Sequence, residues 1–156
     1  ADAAQDTVVL ALAHQHKLIA DPGYDGFLAA WTAENARRRQ AVAAHQVIYG
    51  PVQYTEANYF TYVLHDLGSR LEETLVKTGT IPTPQSALRA YYRDHLDTFR
   101  RQEDKSGPIT TPPFGEVTTQ VRQAYVHDRY QAMTARLART ARTTVAHAAY
   151  DSVPVN

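Results

Sequence analysis

The sequence predicts an all-α protein of about five amphipathic helices, and three observations support this fold class. Apolar side chains recur every three or four residues over most of the chain, a spacing that places them on one face of a helix. Proline and glycine stand mainly between these periodic segments, where helices end. With 156 residues, of which 44% are hydrophobic and 21% charged, the chain is long enough for one core. We therefore expect residues 1–156 to form a single helical domain.

The first two helices are predicted from their capping residues and from the break between them. Asp6 is a suitable N-cap for the first helix, which ends before Asp21. Pro22 then suits the first position of the second helix, because proline lacks an N–H that the first turn would leave unpaired. This second helix is expected to run to about Ala44.

The third and fourth helices follow an extended connection that spans residues 47–54. β-branched residues and a Gly-Pro pair interrupt the helical period in this connection. Thr55 is a suitable N-cap for the third helix, which carries a row of leucines on one face and ends near Gly79. Thr83 or Ser86 is expected to open the fourth helix.

The last part of the chain is predicted to hold a linker, a fifth helix and an extended tail. Residues 103–113 are polar, rich in proline and glycine, and without periodicity, which indicates a flexible linker. The fifth helix is expected from about Gly115 to Arg142. The tail beyond it is expected to be extended, and it is a candidate partner for residues 47–54 in a short β-ribbon.

Composition and histidine spacing argue against several classes of function. Lys+Arg and Asp+Glu both number 16, so no net charge attracts nucleic acid. No apolar run approaches the roughly 18 residues that a membrane span requires. The chain has no cysteine, and side chains at His14 and His16 would diverge by about 200° on a helix. We therefore expect neither a metal site nor a cofactor.

A cluster of tyrosines is the main candidate for a binding surface. Four of the ten tyrosines fall between positions 49 and 62, within and just after the extended connection. A phenol ring buries apolar area and carries a hydroxyl that needs a partner, so such a cluster is typical of a contact surface or of a core edge. If it forms a groove, an extended polypeptide is the expected ligand. The candidate peptide-binding residues are Arg38, Tyr49, Tyr54, Tyr59, Tyr62 and Arg70.

Two polar residues beside this cluster are candidates for proton transfer if the protein is an enzyme. Glu34 and Arg38 are spaced for an ion pair on the second helix, which would let Arg38 present its planar fork to a bound peptide. The same spacing also fits a solvated helix face. Glu34 and His65 are the candidate catalytic residues, although a single histidine on a helix is more often a surface residue.

Three stretches of the sequence resemble a known family. They are HKLIADPGYDGFLAAWTAENARRRQA with VIYGPVQYTEANYFTYVL, then PTPQSALRAYYRDHLDTFRR, and finally PFGEVTTQVRQAYVHDRYQAM with VAHAAYDSV. Their pattern resembles the helical part of secreted peptidyl-prolyl isomerase foldases of the SurA/PrsA type in Gram-positive bacteria. In that family a parvulin domain separates the last two stretches, whereas here residues 103–113 connect them. The resemblance therefore implies a chaperone-like, polypeptide-binding function without prolyl isomerase activity.

A peptide-cyclising enzyme is the alternative. Small actinobacterial proteins of the duramycin and cinnamycin lanthipeptide pathways form a lysinoalanine bridge by adding a lysine amine to dehydroalanine. Chain size, a composition that indicates a GC-rich genome, and a groove of peptide size support this alternative. Holding the two reacting groups together supplies most of the rate, so such an enzyme needs no metal and no motif.

A structural homodimer is the third hypothesis, with the tyrosine face as its interface. Long helices in so small a chain often find a partner in a second subunit, so we expect a homodimer, with intertwined elements as one form. A foldase-like protein would act outside the cytoplasm and a peptide-maturation enzyme inside it. The sequence leaves the compartment open.

Overall fold

The computed structural model describes residues 3–102 and 107–151, with side chains as far as Ala141. The protein is mostly helical (72%), which confirms the predicted all-α fold class. A short 3-10 turn and one two-stranded antiparallel ribbon complete the described part of the chain. The elements are α1 (Ala3–Gln15), α2 (Tyr24–Ala43), α3 (Glu56–Lys77), α4 (Gln85–Asp94), the 3-10 turn (Leu96–Phe99), β1 (Arg101–Gln102), β2 (Ile109–Thr110) and α5 (Phe114–Asp151).

The chain divides into two compact units, with breaks after Leu71 and before Arg136. The first unit contains α1, α2, the start of α3 and the end of α5. Its core includes Leu67 and Leu71 of α3, each with at most 2% of its surface exposed, together with Ala13 of α1. This confirms the predicted leucine face, because positions four apart lie on one side of a helix.

The second unit spans residues 72–135 and has its own core. Leu75, Leu88 and Val121 are buried in it. A hydrogen bond of 2.6 Å from the Tyr91 hydroxyl to Asp128 joins α4 to α5, and burial together with this bond raises the pKa of Tyr91 to about 12. The core side chains of this unit thus come from α3, α4 and α5.

Three predicted helix starts are wrong. Asp6 lies within the first turn of α1, because Ala3 and Ala4 favour the helix and extend it before that residue. Helix α2 begins at Tyr24 with Gly23 as its N-cap, so Pro22 lies outside it. The fourth helix has Pro84 as its N-cap and begins at Gln85, so neither Thr83 nor Ser86 opens it as predicted.

Thr55 caps α3 as expected, since its hydroxyl accepts a hydrogen bond of 3.2 Å from the Asn58 N–H. The first helix stops earlier than predicted, at Gln15, because Lys17 turns into the left-handed region (φ 59°) and the Leu18 N–H closes on the Ala13 carbonyl at 2.8 Å.

The C-terminal tail was predicted to be extended, but it is helical as far as Asp151, so this prediction is wrong for those residues. Helix α5 continues past the predicted end at Arg142, because no glycine or proline interrupts the chain between Glu116 and Val153 and several alanines favour the helix. The remaining residues, 152–156, lie outside the described part of the chain.

The predicted ribbon between residues 47–54 and the tail is also wrong. Residues 47–54 are non-helical, as expected, but the described residues pair as strands only in β1 and β2. These strands stand close together in sequence, so pairing them closes a short loop at low entropic cost. β1 ends just before the predicted flexible linker, 103–113, whereas β2 lies inside it, so this part of the predicted linker is paired as a strand. Residues 103–106 are outside the described residues.

Candidate functional site

Arg38 fixes the connection between α2 and α3. Only 5% of its surface is exposed, and its guanidinium donates hydrogen bonds to the carbonyls of Tyr49 (3.0 Å) and Pro51 (2.7 Å). It also donates to the Tyr54 hydroxyl at 3.2 Å and lies 4.5 Å from the centre of that ring, in cation–π contact. The Arg38 guanidinium was expected to bind a peptide, but it binds backbone carbonyls of the protein itself.

Glu34 orients this arginine from one turn away on α2. The predicted ion pair is confirmed, with 2.8 Å between Arg38 Nε and Glu34 Oε1. Arg37 donates two hydrogen bonds, of 2.8 and 2.7 Å, to the same carboxylate. The hydrogen bonds from Arg37, and after them those from Arg38, lower the pKa of Glu34 despite the opposing effect of partial burial. The carboxylate is consequently ionised at neutral pH.

Asn35 and Trp31 hold the end of the same connection. The Asn35 amide accepts a bond from the Tyr54 N–H at 2.8 Å and donates one to the Tyr54 carbonyl at 3.0 Å, as a neighbouring strand would. The Trp31 indole donates to that carbonyl as well, at 2.9 Å. Trp31 is not among the residues predicted for the site. Its spacing from Asn35 and Arg38, by four and seven residues, was the signal that all three lie on one helix face.

Gly50 lies between the two residues whose carbonyls bind Arg38, and its backbone conformation lets both carbonyls point to the same guanidinium. Its φ of +83° lies in the left-handed region, where a side chain would add strain. The backbone can therefore turn between Tyr49 and Pro51 and bring both carbonyls to Arg38. The connection is a fixed structural part of the first unit.

A cleft of about 1180 Å³ opens next to this network, inside the first unit. It lies between the end of α1, the α1–α2 connection, α2 and α3. Its volume exceeds the upper end of the range typical of small-molecule pockets, about 1,000 Å³, so it can accept a peptide segment. Most of its lining is apolar or aromatic. The larger of these side chains are Leu10, Ile19, Phe27, Phe60, Val63 and Leu67, with Tyr24, Tyr59 and Tyr62.

Aromatic rings form a continuous row along the cleft. Tyr24 stacks on Phe27 at 6.2 Å between ring centres, and Phe27 contacts Tyr59 at 5.7 Å. Tyr59 lies 6.1 Å from Tyr62, which in turn stacks on Tyr54 at 5.3 Å. The row therefore connects the cleft to the Arg38 network through Tyr54. Burial is the main reason that the pKa of Tyr59 is raised, whereas Tyr62 keeps 44% of its surface exposed.

Three charged residues of the lining are exposed and form the rim of the cleft: Asp21, Glu56 and Arg70. Glu56 accepts a hydrogen bond of 2.9 Å from the Tyr24 hydroxyl, and this bond is the main reason that the pKa of Tyr24 is raised. Asp21 accepts one of 2.7 Å from the Gly23 N–H. On α3, Arg70 pairs with Asp66 at 3.3 Å and also reaches the Leu18 carbonyl at 3.4 Å.

The α1–α2 connection is packed closely on the start of α2 at Gly26. A Cβ atom added to this glycine would lie 2.6 Å from the Asp21 Cβ and 2.7 Å from the Asp21 carbonyl oxygen. Both distances are shorter than any normal contact, so only glycine lets the connection approach the helix this closely. The position of Asp21 at the rim depends on this close contact.

The structure brings together some, but not all, of the predicted site residues. Glu34, Tyr59, Tyr62 and Arg70 line the cleft, whereas Arg38 and Tyr54 stabilise the adjacent connection. Tyr49 and His65 are absent from the described lining. Tyr49 is 87% exposed, and His65 is exposed on α3. The two candidate catalytic residues, Glu34 and His65, therefore do not meet in one cavity.

Sequence reasoning missed the other wall of the cleft. Tyr24, Phe27 and Glu56 contribute to it, and the Tyr24–Glu56 hydrogen bond joins residues 32 positions apart. The sequence does contain a signal for this wall, because α2 and α3 each carry two aromatic residues near their first turn.

Among the described residues, no three histidine or acidic side chains are grouped so as to hold a metal ion. None of the described helices is long and apolar enough to cross a membrane.

No known protein family, curated protein or solved structure matches this chain. A proposal for the function therefore rests on the chemistry of the cleft.

Proposed function

We propose that the protein binds an extended polypeptide segment in the cleft of the first unit and assists the folding or maturation of that polypeptide. The observation that carries this proposal is the continuous row of aromatic rings along a cleft of about 1180 Å³. Aromatic side chains supply large contact areas with few rotatable bonds, and they dominate binding energy in protein interfaces. Hydroxyls such as that of Tyr62 can bond the backbone of an extended ligand.

Rigidity of the cleft wall supports the same proposal. Tyr54 packs against both Tyr59 and Tyr62, and its backbone is held by Asn35 and Trp31. A wall that is ordered before binding loses little conformational entropy when the ligand enters. Affinity then depends on contacts with the ligand.

The resemblance to SurA/PrsA-type foldases extends the proposal to a chaperone-like role. In that family the helical part binds unfolded polypeptide, and a separate parvulin domain carries the isomerase activity. Here residues 103–113 occupy the place of the parvulin domain, so the proposal concerns binding alone. Such a protein is expected to accept several unfolded segments rather than one.

Lysinoalanine formation is the second candidate, and the position of Glu34 favours it. Glu34 lines the cleft as an ionised carboxylate, where it can accept the proton that a lysine ammonium loses. The amine nitrogen would bond to the β-carbon of dehydroalanine while a proton is added at the α-carbon, so the mass is unchanged. Because the lowered pKa makes Glu34 a weak base, orientation of the two groups would supply most of the rate.

Peptide binding can be tested by fluorescence anisotropy with labelled segments of unfolded proteins. Tyr62→Ala is expected to raise the Kd about tenfold, the effect of losing about 1.4 kcal/mol at an aromatic contact. Tyr49→Ala is the matched control, because this tyrosine is exposed and outside the described lining of the cleft. Equal affinities for the two variants, or no saturable binding to any segment, would refute the proposal.

The second candidate requires a separate assay. The protein is incubated with a precursor peptide that contains dehydroalanine and lysine, and a thiol then labels the dehydroalanine that remains. Disappearance of the thiol adduct in the mass spectrum only when the protein is present would favour the cyclase. Glu34→Gln should slow that disappearance, whereas persistence of the adduct would eliminate this candidate for that peptide.

A further inference from the structure

Two carboxylates at the rim of the cleft have no positive partner within the described part of the chain. Asp21 and Glu56 accept hydrogen bonds only from neutral groups, the Gly23 N–H and the Tyr24 hydroxyl. No described arginine, lysine or histidine forms an ion pair with either of them. Each therefore presents a full negative charge at the cleft.

The other carboxylates of the lining already have cationic partners. Glu34 is paired with Arg37 and Arg38, and Asp66 is paired with Arg70, the only cation among the described lining residues. The chain as a whole has a formal net charge of +0. The negative charge at the rim is thus local to the cleft rather than a property of an acidic protein.

We infer that the cleft selects cationic, apolar segments, in which lysine or arginine flanks the residues that enter the aromatic row. This inference rests on the proposed function and defines its ligand class. Charge complementarity of this kind fixes the register of a ligand and speeds its association.

The geometry around Glu56 suits a long basic side chain. The Tyr24 ring is largely exposed and donates its hydroxyl to the Glu56 carboxylate, so ring and charge lie side by side. Phe27 stacks next to this ring. The aliphatic stem of a lysine or arginine can pack on the rings while its charged end reaches the carboxylate, which combines a cation–π contact with an ion pair.

The inference can be tested with three labelled peptides that differ only in charge. In the first, leucine and phenylalanine alternate with lysine, and in the other two glutamine or glutamate replaces every lysine. We expect the lysine peptide to bind tightest and the glutamate peptide weakest. Two surface ion pairs at about 1 kcal/mol each would give the lysine peptide about a thirtyfold advantage over the glutamine peptide at low salt. Added salt should reduce this advantage.

Conservative variants assign the effect to particular residues. Glu56→Gln and Asp21→Asn keep their hydrogen-bond acceptors and remove only the charge, and each should weaken binding of the lysine peptide about fivefold. The glutamine peptide should be unaffected. Glu73→Gln, on the same helix as Glu56 but outside the described lining, is the control and should change nothing.

The possible outcomes separate the two proposals. Failure of all three peptides to bind would overturn the proposed function itself. If the three peptides bind equally and Tyr62→Ala weakens the binding of all three, the proposed function stands and the charge selection is overturned. Lysine-selective binding that Glu56→Gln and Asp21→Asn leave intact would also overturn it, because the selection would then arise elsewhere.

Discussion

Replacing Arg38 by alanine should destabilise the protein strongly. The substitution removes four hydrogen bonds: one to Glu34, two to backbone carbonyls and one to the Tyr54 hydroxyl. Hydrogen bonds to a charged group contribute about 1.5–3 kcal/mol each, so losing several of them should cost at least about 3 kcal/mol even though Arg37 still pairs with Glu34. Since a domain is typically stable by about 5–15 kcal/mol, Arg38→Ala should remove a large part of the free energy of unfolding. Urea denaturation measures this quantity.

The single tryptophan makes the assay specific for this region. Trp31 donates its indole N–H to the Tyr54 carbonyl, so its fluorescence reports on the connection that Arg38 holds. Arg37→Ala is the matched control: this side chain is 61% exposed, contacts the same Glu34 carboxylate and should cost less than about 1 kcal/mol. Equal and small effects of the two substitutions would refute a structural role for Arg38 and leave it available as a peptide contact.

Three further predictions concern other parts of the chain. Lys17→Gly should raise the free energy of unfolding by about 1 kcal/mol in urea titrations, because Lys17 has a left-handed conformation (φ 59°) that costs a side chain about that much. Tyr130→Phe should keep or increase stability by up to about 1 kcal/mol, because the buried Tyr130 hydroxyl has no partner among the described residues; a clear loss in calorimetry would contradict this. The pKa of Glu34 is lowered on folding from 4.5, so its contribution to stability is full above that value and is lost as the pH falls through the folded-state pKa. Glu34→Gln should therefore make stability less sensitive to pH below about 4.5, as a series of melting curves would show.

The helices could be predicted from the sequence because their signals are local. The row Leu67, Leu71 and Leu75 has helical spacing and is buried as expected, and Thr55 caps α3. The Glu34–Arg38 pair could likewise be predicted from its spacing. In each case the interacting residues lie within two turns of one helix, so the spacing alone decides the geometry.

The cleft could not be predicted in this way because its walls come from distant parts of the chain. Spacing shows that Arg38 can meet Glu34, but it does not show that the rest of the guanidinium faces residues 11 and 13 positions later. Likewise, the contact of Tyr24 with Glu56 depends on how α2 packs against α3. The tyrosine cluster indicated a surface, and packing decides which tyrosines face the cleft.

The connection between α2 and α3 is held mainly through its backbone, so some of its side chains can vary. Trp31, Asn35 and Arg38 make five hydrogen bonds with main-chain atoms of residues 49–54, four to carbonyls and one from the Tyr54 N–H. Every amino acid carries a main-chain carbonyl. The side chain of Val47, by contrast, is 82% exposed, and that of Tyr49 is also exposed. Side-chain identity at positions 47 and 49 is therefore nearly free, whereas Gly50 and Tyr54 are needed for the conformation of the connection. The two exposed positions are suitable places to attach a foreign epitope or a chemical label.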